Sequence, residues 1–163
     1  MIAAFDVDYA EDGSAHAAAV VFEEYADADS VACYTKRISQ TEEYHPGEFY
    51  RRELPCILAL IDEMEVSFYT IIVDGYVKLG DKPGLGAHLQ NAVGPAYKVI
   101  GVAKSYFAGS HPGEVLRGIS KNPLYVTTSG IDLKDACNAI ALMHGPHRIP
   151  TLLKQVDQLC RKW

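Results

Sequence analysis

No apolar run in this chain is long enough to cross a bilayer, and its N-terminus carries none of the basic residues that open a signal peptide. Cysteine is sparse and scattered. Cys33, Cys56, Cys137 and Cys160 include no close pair, which argues against a zinc site or a redox motif. They read as reduced, mostly buried thiols of a cytoplasmic protein. Basic residues are outnumbered, 15 Lys and Arg against 21 Asp and Glu, and the net charge of -6 argues against a large basic face. Repeats, linkers and low-complexity stretches are absent. What is present is an ordinary globular composition, 48% hydrophobic and 22% charged over 163 residues. One domain spanning 1–163 is expected, burying roughly two-thirds of its unfolded surface.

Two apolar runs, 1–9 and 15–24, flank the turn sequence Glu11-Asp12-Gly13-Ser14 and read as an antiparallel hairpin. Residues 31–38 supply a third strand. From Glu48 to about Glu65, Phe49, Leu54, Ile57, Leu58, Ile61 and Met64 recur near helical spacing, with a kink or restart expected at Pro55. Tyr69–Asp74 and Lys98–Ala103 read as buried strands, Lys78–Pro83 as a polar loop and Gly84–Val93 as a helix. Leu116–Ser120 and Leu124–Thr128 read as short edge strands around Asn122-Pro123. Leu133–His144 and Thr151–Arg161 close the chain as helices separated by Gly145-Pro146. A three-strand meander followed by strand–helix alternation predicts an α/β fold. Its arrangement is ribonuclease-H-like: a mixed sheet, antiparallel meander plus parallel strands, flanked by helices.

Three acids stand where polar groups are costly. Asp6 lies inside Ile2-Ala3-Ala4-Phe5-Asp6-Val7, Glu53 sits on the amphipathic helix, and Asp74 ends Ile71-Ile72-Val73-Asp74. An ionised carboxylate in apolar surroundings needs a positive partner. A divalent cation supplies one, and hard oxygen donors select Mg²⁺ or Mn²⁺ over zinc. A metal-dependent phosphodiester-handling enzyme fits, since catalytic carboxylates account for part of the acidic total. Taken alone, Glu53 would equally suit a solvated helix acid, and Asp74 a strand-end turn.

Collinear motifs resemble endonuclease V, the deoxyinosine 3′ endonuclease family of the ribonuclease-H-like superfamily. Asp6-Val7-Asp8-Tyr9 is similar to its first-strand acid motif. Tyr44-His45-Pro46-Gly47, with Arg52-Glu53 downstream, resembles its wedge loop and helix acid. Val73-Asp74-Gly75 and Gly84-Leu85-Gly86-Ala87-His88-Leu89 resemble the second-strand acid and the glycine-rich helix. Ile100-Gly101-Val102-Ala103-Lys104-Ser105 is the most specific match, and Leu124-Tyr125-Val126-Thr127 with Arg148-Ile149-Pro150 completes the series. The chain departs from the family in several places, among them a short segment between Lys104 and Leu116 and Glu48 at a position where the family tends to be apolar. Gly80-Asp81-Lys82 replaces His-Pro-Arg, and Thr127-Thr128-Ser129-Gly130 replaces Ser-Pro-Gly-His, removing what the resemblance gives as an active-site histidine.

The resemblance implies that Asp6, Glu53 and Asp74 ligate Mg²⁺, with Mn²⁺ as substitute, and that Lys104 approaches the scissile phosphate. It implies nucleic-acid contacts from Tyr44, His45, Pro46 and Gly47, the wedge, and from Gly75, Gly84, Leu85 and Gly101 around the base. Asp8 reads as a supporting acid or a solvated one, Asp132 as a helix N-cap or a fourth ligand, and His88 as structural. The activity implied is cleavage on the 3′ side of inosine in DNA, or in RNA, by a cytoplasmic monomer with no membrane partner. The alternatives are a weakened or inactive nucleic-acid-binding member of the family, or a nuclease for another damaged or branched substrate.

Overall fold

The computed structural model describes residues 1–163 as a seven-stranded sheet with two helices on each face. The strands are β1 (Ile2–Tyr9), β2 (Ala15–Phe22), β3 (Ala32–Ile38), β4 (Thr70–Asp74), β7 (Lys98–Ala103), β8 (Gly113–Val115) and β9 (Leu124–Ser129), in the order β3-β2-β1-β4-β7-β9-β8. The helices are α1 (Tyr50–Ile61), α2 (Leu85–Val93), α3 (Leu133–Leu142) and α4 (Thr151–Cys160). β1–β4 and β4–β7 pair in parallel and every other neighbour antiparallel, so the meander continues into a parallel centre as expected. No helix is long and apolar enough to cross a membrane.

Alternation along β1 divides the core into two layers. Ala3, Phe5 and Val7 pack with Cys56, Ile57 and Leu60 of α1 and Leu85 and Leu89 of α2. Ile2 and Ala4 pack with Ala136 and Ile140 of α3 and Leu152 and Val156 of α4. β2 is covered on both faces, which explains why Ala15, Ala17, Ala18, Ala19, Val20, Val21 and Phe22 read as one apolar run. By the same alternation Asp6 and Asp74 belong to the α3/α4 face, beyond Ala4 and Ile72.

Four expectations need correction. Helix α1 runs through Pro55 as one helix and stops at Ile61, short of Glu65. Pro55, sixth of the twelve residues, removes one donor, the one that would meet the Arg51 carbonyl. Asp62, Glu63 and Glu65 beyond Ile61 oppose the negative end of the helix dipole, which ends it. Lys78–Pro83 is a miniature hairpin, β5 (Lys78–Leu79) and β6 (Lys82–Pro83), turned at Gly80 with φ +63°. Leu116–Ser120 is not a strand; the edge is Gly113–Val115. Gly118 at φ +59° breaks extension there, and Arg117 turns inward to donate to the carbonyls of Met143, Gly145, His147 and Arg148. All four cysteines are free, but only Cys56 and Cys160 are buried, Cys33 being exposed and Cys137 half-buried.

Candidate active site

The C-terminal ends of β1 and β4 open into a cleft of about 350 Å³ whose walls include Asp6, Asp8, Glu53, Asp74, Lys104 and Asp157. Asp6 and Asp74 reach it from adjacent parallel strands. Glu53 arrives from α1 on the other face and joins them in the cleft at the C-terminal ends of these central strands. The residue is 2% exposed, and its carboxyl group meets only the cleft, with no hydrogen bond or ion pair, a costly state for a carboxylate. Burial, then Asp6 and Asp74, holds its pKa well above the ordinary value. Burial and the Asp74 charge raise Asp6 to about 6, against the Val7 N–H that donates to its Oδ1 at 2.9 Å.

Lys104 follows β7 and donates from Nζ to Asp74 Oδ2 at 3.2 Å. Burial opposes the ammonium, yet Asp74 outweighs it and the pKa stands above the usual lysine value. Both partners are nearly half exposed, so this ion pair is worth about 0–1 kcal/mol and exchanges readily for another anion. The Lys104 backbone is held more firmly. Arg148 donates from Nη2 to the Lys104 carbonyl at 2.6 Å and to that of Pro123 at 2.8 Å.

Asp157 of α4 is the residue that sequence reading missed. It lines the cleft beside Asp6 and accepts Arg161 Nε and Nη2 at 3.1 Å. A signal was available. Leu153, Val156 and Cys160 form the inward stripe of α4, and Asp157 interrupts it at helical spacing. Of the two ambiguous acids, Asp132 caps α3, accepting Lys134 and Asp135 N–H at 2.9 and 3.2 Å. Asp8 accepts the indole N–H of Trp163 at 2.7 Å. His88 stacks on Tyr50 with centroids 3.7 Å apart, a packing role.

The acid cluster suits a divalent cation. Several carboxylates face one ammonium, Glu53 is buried without a partner, and every donor is a hard oxygen. No three acid, histidine or cysteine side chains stand in ready-made ligating geometry, so a cation would have to draw the carboxylates together.

The proposed base contacts divide. Tyr44, His45, Pro46 and Gly47 are exposed in an irregular loop, Tyr44 by 57%, leading to Phe49 in the cleft wall. Gly75, at φ +124°, lines the cleft. Gly84, Leu85 and Gly101 do not line it; all three are buried. A Cβ on Gly84 would meet the Tyr76 carbonyl oxygen at 2.7 Å, and one on Gly101 the Gly75 carbonyl oxygen at 2.5 Å. Both glycines admit the close approach of neighbouring backbone. The segment lacking the family's histidine runs away from the acids. β9 is antiparallel to β7, so Ser129 pairs with Val99 while Tyr125 pairs with Ala103, beside Lys104.

Comparison with known proteins agrees with this fold. The endonuclease V family profile matches residues 1–125. An endonuclease V from Streptomyces avermitilis is 31% identical over 179 residues, spanning 96% of this chain and 77% of that protein. A crystal structure of endonuclease V from Streptomyces avermitilis superposes with TM-score 0.79 at 29% identity, over 99% of this chain and 79% of that one. The catalytic domain of human endonuclease V superposes with TM-score 0.82, covering 99% and 80%; at 21% identity this is likeness of fold.

Proposed function

Because this chain belongs to the endonuclease V family and is an endonuclease, we propose that it hydrolyses the phosphodiester on the 3′ side of inosine in DNA, using Mg²⁺ or Mn²⁺. Inosine-containing RNA is the alternative substrate. Cutting beside a deaminated adenine would serve DNA repair, and the chain is taken to act as a monomer. The observation that carries the reading is the buried, unpartnered Glu53 carboxylate sharing one cleft with Asp6 and Asp74.

Asp6, Glu53 and Asp74 would hold the cation, with Asp157 as a further oxygen donor. Bound there, a divalent cation would neutralise phosphate oxygens and lower the pKa of the attacking water. Lys104, leaving its weak pairing with Asp74, stabilises charge developing on the phosphoryl oxygens from a backbone position fixed by Arg148. The loop Tyr44–Gly47 supplies a rigid wedge: Pro46 fixes the backbone and Tyr44 stacks where the target nucleotide is turned out. Extrusion costs a few kcal/mol, and stacking returns about 1–3 kcal/mol.

Retention of catalysis without the family's Ser-Pro-Gly-His histidine is supported by where that segment lies, at the end of β9 remote from Lys104. The test is a panel of inosine-containing and undamaged DNA and RNA strands, incubated with and without Mg²⁺, with the cut position mapped. Cation-dependent products ending 3′ of inosine support the reading. Equal cutting of undamaged strands would transfer it to another nuclease specificity.

A further inference from the structure

Asp8, His16 and Arg37 are direct cross-strand neighbours, Asp8 opposite His16 on β1–β2 and His16 opposite Arg37 on β2–β3. They form one row across the sheet, running from the cleft toward the free edge of β3. Trp163 lies over all three. Its Nε1 donates to Asp8 Oδ2 at 2.7 Å, its ring centroid is 5.6 Å from that of His16 at 37°, and the Arg37 guanidinium is 5.2 Å from the indole centroid. His16 is itself pinned, Nδ1 lying 2.7 Å from the Cys160 carbonyl oxygen. The indole is thus fixed at three points and yet 45% exposed.

We propose that Trp163 is a stacking platform for an unpaired base of the bound strand, on the α4 side of the cleft. The inference rests on the nuclease reading above and extends it to a second aromatic contact, separate from the wedge that enters beside α1. Two arguments favour a nucleic-acid strand as the occupant. The platform is continuous with the cleft, because Asp8, which accepts the indole N–H, and Arg161, two residues before Trp163 in the chain, are both cleft-wall residues. Its surroundings also suit phosphates: Arg37 and Lys162 are exposed, and Arg161 offsets the Asp157 carboxylate it pairs with. A preordered indole costs little entropy to use, and every base has a face that stacks on it.

The chain has a single tryptophan, so its emission reports this residue alone. The experiment titrates the whole chain, in EDTA to prevent cleavage, with a fluorescein-labelled single-stranded inosine oligonucleotide. Binding is read by anisotropy of the label and stacking by quenching of indole emission with unlabelled strand. Quenching that tracks binding is expected, with Trp163→Ala weakening binding roughly five- to hundredfold and Trp163→Phe restoring most of it. Binding with unchanged indole emission, or equal affinity of Trp163→Ala and the native chain, would overturn the platform and leave the nuclease reading standing. Absence of any binding would overturn both.

Discussion

Arg148 donates a 2.6 Å hydrogen bond to the carbonyl of Lys104, whose own ammonium rests 3.2 Å from Asp74. The loop containing Arg148 is in turn fastened by buried Arg117, which donates to four carbonyls between Met143 and Arg148. A lysine on a strand end is flexible; here its backbone is clamped from an element over forty residues away in the chain.

Arg148→Ala is therefore expected to lower the cleavage rate more than strand affinity, because Lys104 is misplaced but not removed. It should also cost about 1.5–3 kcal/mol of stability, the usual worth of a hydrogen bond to a charged donor. Single-turnover rates beside equilibrium binding separate the two effects, and equal losses in both would make Arg148 a general scaffold residue.

Asp157→Ala is expected to weaken Mn²⁺ binding by roughly tenfold or more while leaving the fold intact, since Asp157 faces the cleft and otherwise pairs only with exposed Arg161. Calorimetric titration with Mn²⁺ reads this directly. Unaltered affinity would reduce Asp157 to a surface partner of Arg161.

The cation-free protein should become less stable as pH rises from 4 to 7. Burial and Asp74 raise Asp6 from 3.8 to about 6, so across that interval the folded chain keeps a proton that the unfolded chain has released. Stability then falls with rising pH, the Asp6 part levelling off above about 6, while Glu53, raised well above its ordinary value by burial, extends the fall. The Asp6 displacement corresponds to about 3 kcal/mol. Thermal unfolding in EDTA should show Asp6→Asn gaining on the native chain between those limits, and Mn²⁺ should erase the difference by stabilising the native carboxylate. Parallel pH profiles for the two proteins would contradict it.

Tyr44→Ala should reduce preference for inosine strands over undamaged ones, with less effect on undamaged-strand affinity. Stacking by an exposed loop tyrosine is the basis, and the expected loss is about 1–3 kcal/mol. Competition binding with paired substrates reads it; equal losses on both would make the loop a backbone contact.

The sequence exposed the fold where patterning was local and strong. The meander, the parallel strands ending at Asp74 and Lys104, and the helix bearing Glu53 all follow from short-range periodicity. It misled where side chains answer to distant partners. Leu116–Ser120 has strand-like composition, but Arg117 is drawn to carbonyls near Arg148, a contact no local window contains. Pro55 suggested a break, yet α1 continues through it at the loss of one donor. At the site, Asp6 and Asp74 were conspicuous because apolar strands surround them. Asp157 was hidden, one acid among the many polar residues of an amphipathic helix, and only the packing of α4 on β1 turns it inward. Gly84 and Gly101 resembled base-pocket residues, whereas tertiary contacts with Tyr76 and Gly75 explain why they lack side chains.

The most direct test of the central claim is long incubation of an inosine-containing DNA strand with the native chain and with Asp74→Ala, each with Mn²⁺ and with EDTA. The account predicts a single product cut 3′ of inosine for the native chain with Mn²⁺ alone. Asp74→Ala should give none in either condition, while binding the strand at least as well, since a negative charge near the phosphates is gone. Cleavage by the native chain in EDTA, cleavage by Asp74→Ala at the native rate, or no product from the native chain with Mn²⁺ would contradict it.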